Sequence, residues 1–268
     1  MEISDITISK FQRKVWAFYR THRRRLPWRT THDPYKILVS ELMLQQTQVS
    51  RVITFYNKWI QQWPTIQDLA HASRREVLQA WMGLGYNTRA LRLQQAAKTI
   101  VGDYQGDVVQ AMRQYQEIPG VGRYTSQAVL IFATNADLVT VDTNIRRIFI
   151  HEFGLPKDIS ERNLWDLALR CLPTGRSRDW HNALMDYGAL HDTALTTGVK
   201  PKTRQGRFEG SNRQLRAQVI RLLLQQDRSF TELQKRLDVP KVKLQHILAT
   251  LIEEDFISRK KNRYLLKD

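Results

Sequence analysis

Cysteine is nearly missing from this sequence: Cys171 is the only one among 268 residues. One thiol excludes an internal disulfide framework and any set of cysteine ligands within the chain. With Leu169 and Leu172 beside it, it reads as a buried structural thiol. No apolar run approaches the ~20 residues that span a bilayer. The start, MEISDITISKFQRKVW, has no signal-peptide core. An intracellular protein is therefore expected, in the cytoplasm or at the nucleoid, with no membrane partner. No fixed repeat period is present, which argues against a solenoid, and no strand pattern precedes residue 205. Acidic residues are also short: 26 Asp and Glu face 42 Lys and Arg, a net charge of +16. That excess asks for a polyanionic partner, most simply nucleic acid, with a merely soluble or ribosome-associated basic protein as the alternative. Hydrophobic residues make up 42%, enough for a proper core, and the length suits one large domain or a large and a small one.

Apolar residues at helical spacing predict helices over most of the chain. Ile8, Phe11, Val15 and Phe18 mark the first, closed by Arg23-Arg24-Arg25, cations that suit a helix C-terminus. Further helices are expected across 35–48, within 49–101, over 145–154 and 161–173, and from Asp179 to Leu195. Residues 196–211, TTGVKPKTRQGRFEGS, read as a linker. Beyond it three helical stripes and two short strands around Arg259–Arg263 outline a winged helix–turn–helix, a module that either enters a DNA groove or docks a protein.

Three stretches carry candidate chemistry. In YKILVSELMLQQTQ, Glu41 stands among Ile37, Leu38, Leu42 and Met43. A carboxyl in apolar company has its pKa raised, as a general acid at neutral pH requires; otherwise it turns outward into water. Gln45, Gln46 and Thr47 follow, either to meet base edges or to finish the helix in solvent. In GLGYNTRA, Gly85, Tyr86 and Arg89 form either a turn that stacks on a base and holds phosphates or a plain helix cap. In QEIPGVGRYTSQAVLIFATNADLVTVDTNIRR, the Pro119–Gly120–Val121–Gly122–Arg123 turn opens a helix whose N-terminal amides suit a phosphate. The same turn also serves ordinary helix connections. Asp142, Asn144 and Arg146 lie downstream.

Taken together, these blocks resemble the helix–hairpin–helix DNA glycosylases, and within them the MutY adenine glycosylases. The likeness covers roughly residues 20–195. WRTTHDPYKILVSELMLQQTQV is similar to the family's signature around its catalytic glutamate, and GLGYNTRA, IPGVGRYTSQA and VDTNIRRI are similar to three further blocks in the same order. The resemblance implies an all-α, bilobed core at 1–205, with one lobe at 29–135 and the other at 1–28 plus 136–205, then the winged-helix-like module at 206–268. It implies that Glu41 protonates the leaving base and places water, that Asp142 stabilises the sugar cation, and that Tyr124 and Asn144 support them. Gln46 and Tyr86 would wedge into double-stranded DNA where a mismatched or damaged base is flipped out. The hairpin would hold a backbone phosphate, with a monovalent cation on carbonyls near Ile118 and Val121. Family members that also cut the strand carry a lysine where this chain has Tyr124, so a monofunctional glycosylase is expected; separately, a monomer is expected.

Two departures qualify the likeness. The family usually holds an iron–sulfur cluster on four cysteines, but Asp192 and Thr203 stand where cysteines would be expected, so no cluster and no other cofactor is expected; extra packing by Trp180, Tyr187 and Leu190 would compensate. The longer MutY enzymes end in a domain that senses 8-oxoguanine, whereas this sequence ends in the winged-helix-like module. A related branch that removes thymine or uracil opposite guanine shares the Tyr and Asp pair. The LMLQQTQ and GLGY blocks lean toward adenine.

Overall fold

A computed structural model describes residues 3–199 and 206–267. Among them the regular elements are fifteen α-helices, two single 3-10 turns and three short strands, an all-α body with one small sheet. In chain order the helices are α1 (Asp5–His22), α2 (Pro34–Leu44), α3 (Val49–Gln62), α4 (Ile66–His71), α5 (Arg74–Trp81), α6 (Thr88–Asp103), α7 (Val108–Arg113), α8 (Arg123–Thr134), α9 (Thr143–Glu152), α10 (Glu161–Arg170), α11 (Ser177–Leu190) and α12 (Ala194–Thr197). The C-terminal part follows as α13 (Asn212–Gln225), β1 (Arg228–Ser229), α14 (Phe230–Leu237), α15 (Lys241–Glu253), β2 (Ile257–Lys260) and β3 (Arg263–Leu266).

The chain forms two compact units, Met1–Leu42 with Asp107–Arg204, and Met43–Gly106 with Gln205–Asp268. The division after Arg204 falls within one residue of the sequence boundary at 205, while those after Leu42 and Gly106 differ from the lobe boundaries at 28 and 135. The C-terminal module shares its core with Leu78 of α5, which lies fully buried among Leu215, Val219 and Leu223. Residues 200–205 of the linker expected at 196–211, including Thr203, lie outside the described residues.

In the first unit α1 buries Ile8, Phe11, Val15 and Tyr19, one stripe three and four residues apart. Ser4 caps the helix by accepting from the Thr7 amide. Phe11 meets Phe149, Phe153 and Trp180 edge-on, with ring centroids 5.9, 5.0 and 5.8 Å apart. α11 lies close against α9 at Gly188: a Cβ there would come within 3.2 Å of Asn144 Cβ and 3.1 Å of Ile148 Cδ1. The helix expected to reach Leu195 stops at Leu190, because the amides of His191 and Asp192 both turn back onto the Tyr187 carbonyl.

In the second unit α3 buries Val52, Tyr56 and Trp59, and Trp59 packs against Trp63 and Trp81 at 4.6 and 5.4 Å. Ser73 and Glu76 form a capping box that starts α5, and Ser229 and Glu232 do the same for α14. The sheet has the order β1-β3-β2, all antiparallel, with Arg228 opposite Tyr264 and Ile257 opposite Leu266. The expected hairpin thus gains a third, two-residue strand.

Candidate active site

Glu41 lies on α2 among the buried residues Ile37, Leu38 and Leu42, and is itself only 7% exposed. Asp142 is the N-cap of α9. Its Oδ1 accepts from the Ile145 amide at 2.7 Å and its Oδ2 from Asn144 Nδ2 at 2.9 Å. Tyr124, in the first turn of α8, hydrogen-bonds Glu41 and carries its field and that of Asp142. One acid from α2, one from the start of α9 and a phenol from α8 thus meet in the first unit.

Burial and then the nearby Asp142 charge push the Glu41 carboxyl up to about 7, and the Tyr124 hydrogen bond only partly opposes them. Burial also raises Asp142, but the Ile145 amide, the Asn144 side chain and amide, and the Arg147 charge all pull it back. Burial and the two acids hold the Tyr124 phenol protonated, well above its ordinary value. Two neighbouring acids in unlike surroundings favour unlike protonation states, with the proton on the acid that has fewer donors. Glu41 is that acid.

The sequence did not single out Arg147. It donates to Asn144 Oδ1 at 2.7 Å, to the Gly188 carbonyl at 3.0 Å and to the Asp192 carbonyl at 2.7 Å. The run Arg147–Asn144–Asp142 fixes the Asp142 carboxylate. A cavity of about 320 Å³ opens beside it, lined by Tyr124, Asp142, Thr143, Arg146, Leu164 and Trp165 among others.

The hairpin forms as expected. Gly120 takes a φ of 76°, which favours glycine. Gly122 does not: its φ is −101° and nothing within 4 Å would meet a Cβ. The Ile118 carbonyl already accepts from the Val121 amide at 3.2 Å. The Arg123 guanidinium stacks over Trp165 at 3.9 Å, and Arg146 donates to the Lys157 carbonyl.

Gln45, Gln46, Thr47, Gly85, Tyr86 and Arg89 belong to the second unit. Gln46 and Tyr86 both adopt left-handed backbone, φ 55° and 49°, a strained choice for such residues. Arg89 is misread by the sequence. It is not a surface cation but 7% exposed, donating to the carbonyls of Met43, Gln45 and Gly85 and to Thr47 Oγ1 at 2.6–3.1 Å. It ties loop 44–48 to loop 83–87.

A four-thiolate cluster does not fit the residues present. Cys171 is the only cysteine, and burial pushes its thiol up to about 12. Asp192, buried, instead faces His151 Nδ1 at 3.2 Å and His191 Nδ1 at 2.9 Å. Glu152 beside them accepts from Lys14 at 2.7 Å and from Tyr187 at 2.5 Å. Trp180 and Tyr187 are buried as expected, but Leu190 is 51% exposed and adds no packing.

Residues 39–170 match the model of the HhH-GPD superfamily base excision DNA repair proteins. The chain is 36% identical to an adenine DNA glycosylase of Mycolicibacterium smegmatis, over 78% of this chain and 79% of that one. It is 40% identical to the adenine DNA glycosylase of Rattus norvegicus over 70% of this chain, but spans only 39% of that relative's length. A solved structure of a thermostable thymine-DNA glycosylase superposes with a TM-score of 0.66 at 29% identity, over 73% of this chain and 94% of the other.

Proposed function

Because this chain belongs to the HhH-GPD superfamily of base excision DNA repair proteins, we propose that it is a monofunctional DNA glycosylase. It hydrolyses the N-glycosidic bond of a flipped-out adenine opposite 8-oxoguanine or guanine in double-stranded DNA. The observation that carries this reading is the Glu41–Tyr124–Asp142 constellation, with Glu41 held near 7. Breaking an N-glycosidic bond leaves positive charge on the sugar and negative charge on the base. A protonated carboxyl and an ionised carboxylate answer both needs. Glu41 delivers its proton to the base and then guides the water. Asp142, steadied by Asn144 and Arg147, faces the sugar cation. Tyr124, at the position of the strand-cutting lysine, offers no amine for a covalent adduct. Extrusion of the base costs a few kcal/mol, less at a mismatch, and Gln46 and Tyr86 are the side chains assigned to fill the gap. The hairpin amides and Arg146 take the phosphate, with a monovalent cation at the Ile118 and Val121 carbonyls. The enzyme acts as a monomer and without an iron–sulfur cluster.

Pyrimidine excision from T:G or U:G pairs is the second reading, favoured by the likeness to the thymine-DNA glycosylase structure. Incubation with duplexes holding A opposite 8-oxoguanine, A opposite G, T opposite G and U opposite G, followed by alkali, separates the two. The expected result is strand breakage at adenine. Breakage of only the pyrimidine duplexes supports the second reading, and none at all leaves a DNA-binding protein. Borohydride trapping of a covalent DNA adduct would overturn the monofunctional assignment.

A further inference from the structure

The C-terminal module is built into the unit that carries the Tyr86 loop. Besides the shared Leu78 core, Arg75 of α5 donates to the Leu224 carbonyl at 2.7 Å, and Arg74 pairs with Asp255 at 3.1 Å. From the first turn of α13, Arg213 reaches Tyr86. Its Nη1 donates to the Tyr86 hydroxyl at 2.8 Å, and its guanidinium lies 5.4 Å from the ring centroid. Its Nη2 is braced on the Gly206 carbonyl at 2.7 Å. Arg89 approaches the same ring at 5.7 Å. Tyr86 is 38% exposed on a left-handed backbone. An aromatic ring on a strained loop loses conformational freedom when it inserts into a stack, and holding it beforehand removes that cost from binding.

We propose that Arg213 is a positioning residue for Tyr86: the C-terminal module presets the tyrosine that enters the DNA, and so takes part in substrate binding by the core. The proposal rests on the assignment of Tyr86 to the DNA gap. The group recognised is a base step in duplex DNA, read through Tyr86. The arginine–phenol hydrogen bond and cation–π contact set the ring's direction.

The test is a double-mutant cycle in the full chain with Arg213→Ala, Tyr86→Phe and the pair. The readouts are duplex affinity and the fluorescence of a 2-aminopurine placed beside the mismatch, which rises when the stack opens. Arg213→Ala is expected to weaken both by about 3- to 10-fold, the range that one hydrogen bond and one cation–π contact supply. Tyr86→Phe, losing the hydroxyl alone, should weaken them by less. In the Tyr86→Phe background the loss on removing Arg213 should shrink to a fraction of its wild-type size. Arg213→Lys, which keeps a donor, should recover part of the loss, and the melting temperature should stay within a few degrees throughout. Strictly additive effects overturn the proposal and make Arg213 a plain phosphate contact, as does a salt slope that falls by about one. Tighter binding by Arg213→Ala overturns it in favour of an inhibitory clasp. Because affinity and stacking are read directly, the cycle is scored whether or not the wild type excises a base. A chain that binds and opens DNA but excises nothing fails the proposed activity alone.

Discussion

Two carboxylates of the first unit are removed from water to a similar degree and meet opposite fates. Asp186 on α11 is fully buried and accepts four hydrogen bonds: from the Arg24 amide and Nε at 3.0 and 2.5 Å, and from Arg29 Nη1 and Nη2 at 2.8 and 2.9 Å. Burial alone would raise its pKa, but the two arginines bring it below the ordinary carboxylate range. Glu41 is offered a phenol and another acid, and rises to about 7. Burial therefore does not decide what an acid does. The neighbours decide whether burial is opposed. Two arginines outweigh it at Asp186, a clamp that joins the 23–29 turn to α11. At Glu41 burial goes largely unopposed and Asp142 adds to it, which holds a proton on the carboxyl up to about pH 7.

The largest effect that would sharpen this contrast is on turnover. Glu41→Gln keeps the shape and removes the proton, so single-turnover excision should fall by about 10²- to 10⁴-fold, the range of general acid catalysis, with duplex affinity retained. Asp142→Asn should also abolish excision while α9 stays intact, since Asn caps a helix as well as Asp does. Near-wild-type rates from either variant would remove that residue from the mechanism. Asp186→Asn is the converse case. It leaves two arginines facing a neutral amide and should lower folding stability by about 3–5 kcal/mol in denaturant titration.

Stability against pH should separate the two acids by sign. Glu41 has a folded value near 7 against an ordinary 4.5. It is protonated in both states at low pH, and its relative stabilisation is lost as pH rises through 7. The total is about 3 kcal/mol at most. Asp186 has a lowered folded value, so its contribution is complete above the ordinary carboxylate pKa and is lost as pH falls through the folded one. At pH 8, Glu41→Gln should therefore be more stable than the wild type while being inactive, the trade expected of a strained catalytic group. A Glu41→Gln melting curve that tracks the wild type from pH 5 to 8 would show that Glu41 is solvated, and the contrast would fail.

The same pairing explains what was legible in the sequence. Glu41 was marked as a candidate because four apolar residues flank it on one helix, but that pattern left burial and an outward turn both open, and only the packing around α2 buries it. Arg147 gave no such signal: beside Arg146 it is one of two arginines, and only the α9–α11 approach at Gly188 turns it inward to Asn144. Arg89 misled for the opposite reason. A cation after a glycine turn reads as a phosphate contact, but the turn's own carbonyls converge on it. The left-handed backbone of Gln46 and Tyr86 has no sequence pattern, and β1 has only two residues in which to show a period. A helix with a long stripe, such as α1, was plain. Pairings across the chain, such as Leu78 with α13, are set by tertiary packing and were not.

The smallest expected effect concerns the two hairpin glycines, which contrast as the two acids do. Gly120 needs its residue type for the chain's own sake: at φ 76° an alanine is strained, and Gly120→Ala should lower stability by about 1–2 kcal/mol. Gly122 has an ordinary φ and open space around its missing Cβ, so Gly122→Ala should change stability by less than about 1 kcal/mol. If the hairpin amides hold a DNA phosphate, that open space is where the backbone approaches, and a methyl group there should weaken duplex binding severalfold without altering the melt. Binding by Gly122→Ala equal to wild type would mean that DNA does not come close to the α8 N-terminus, and the glycine would then be a turn residue with no further part in the site.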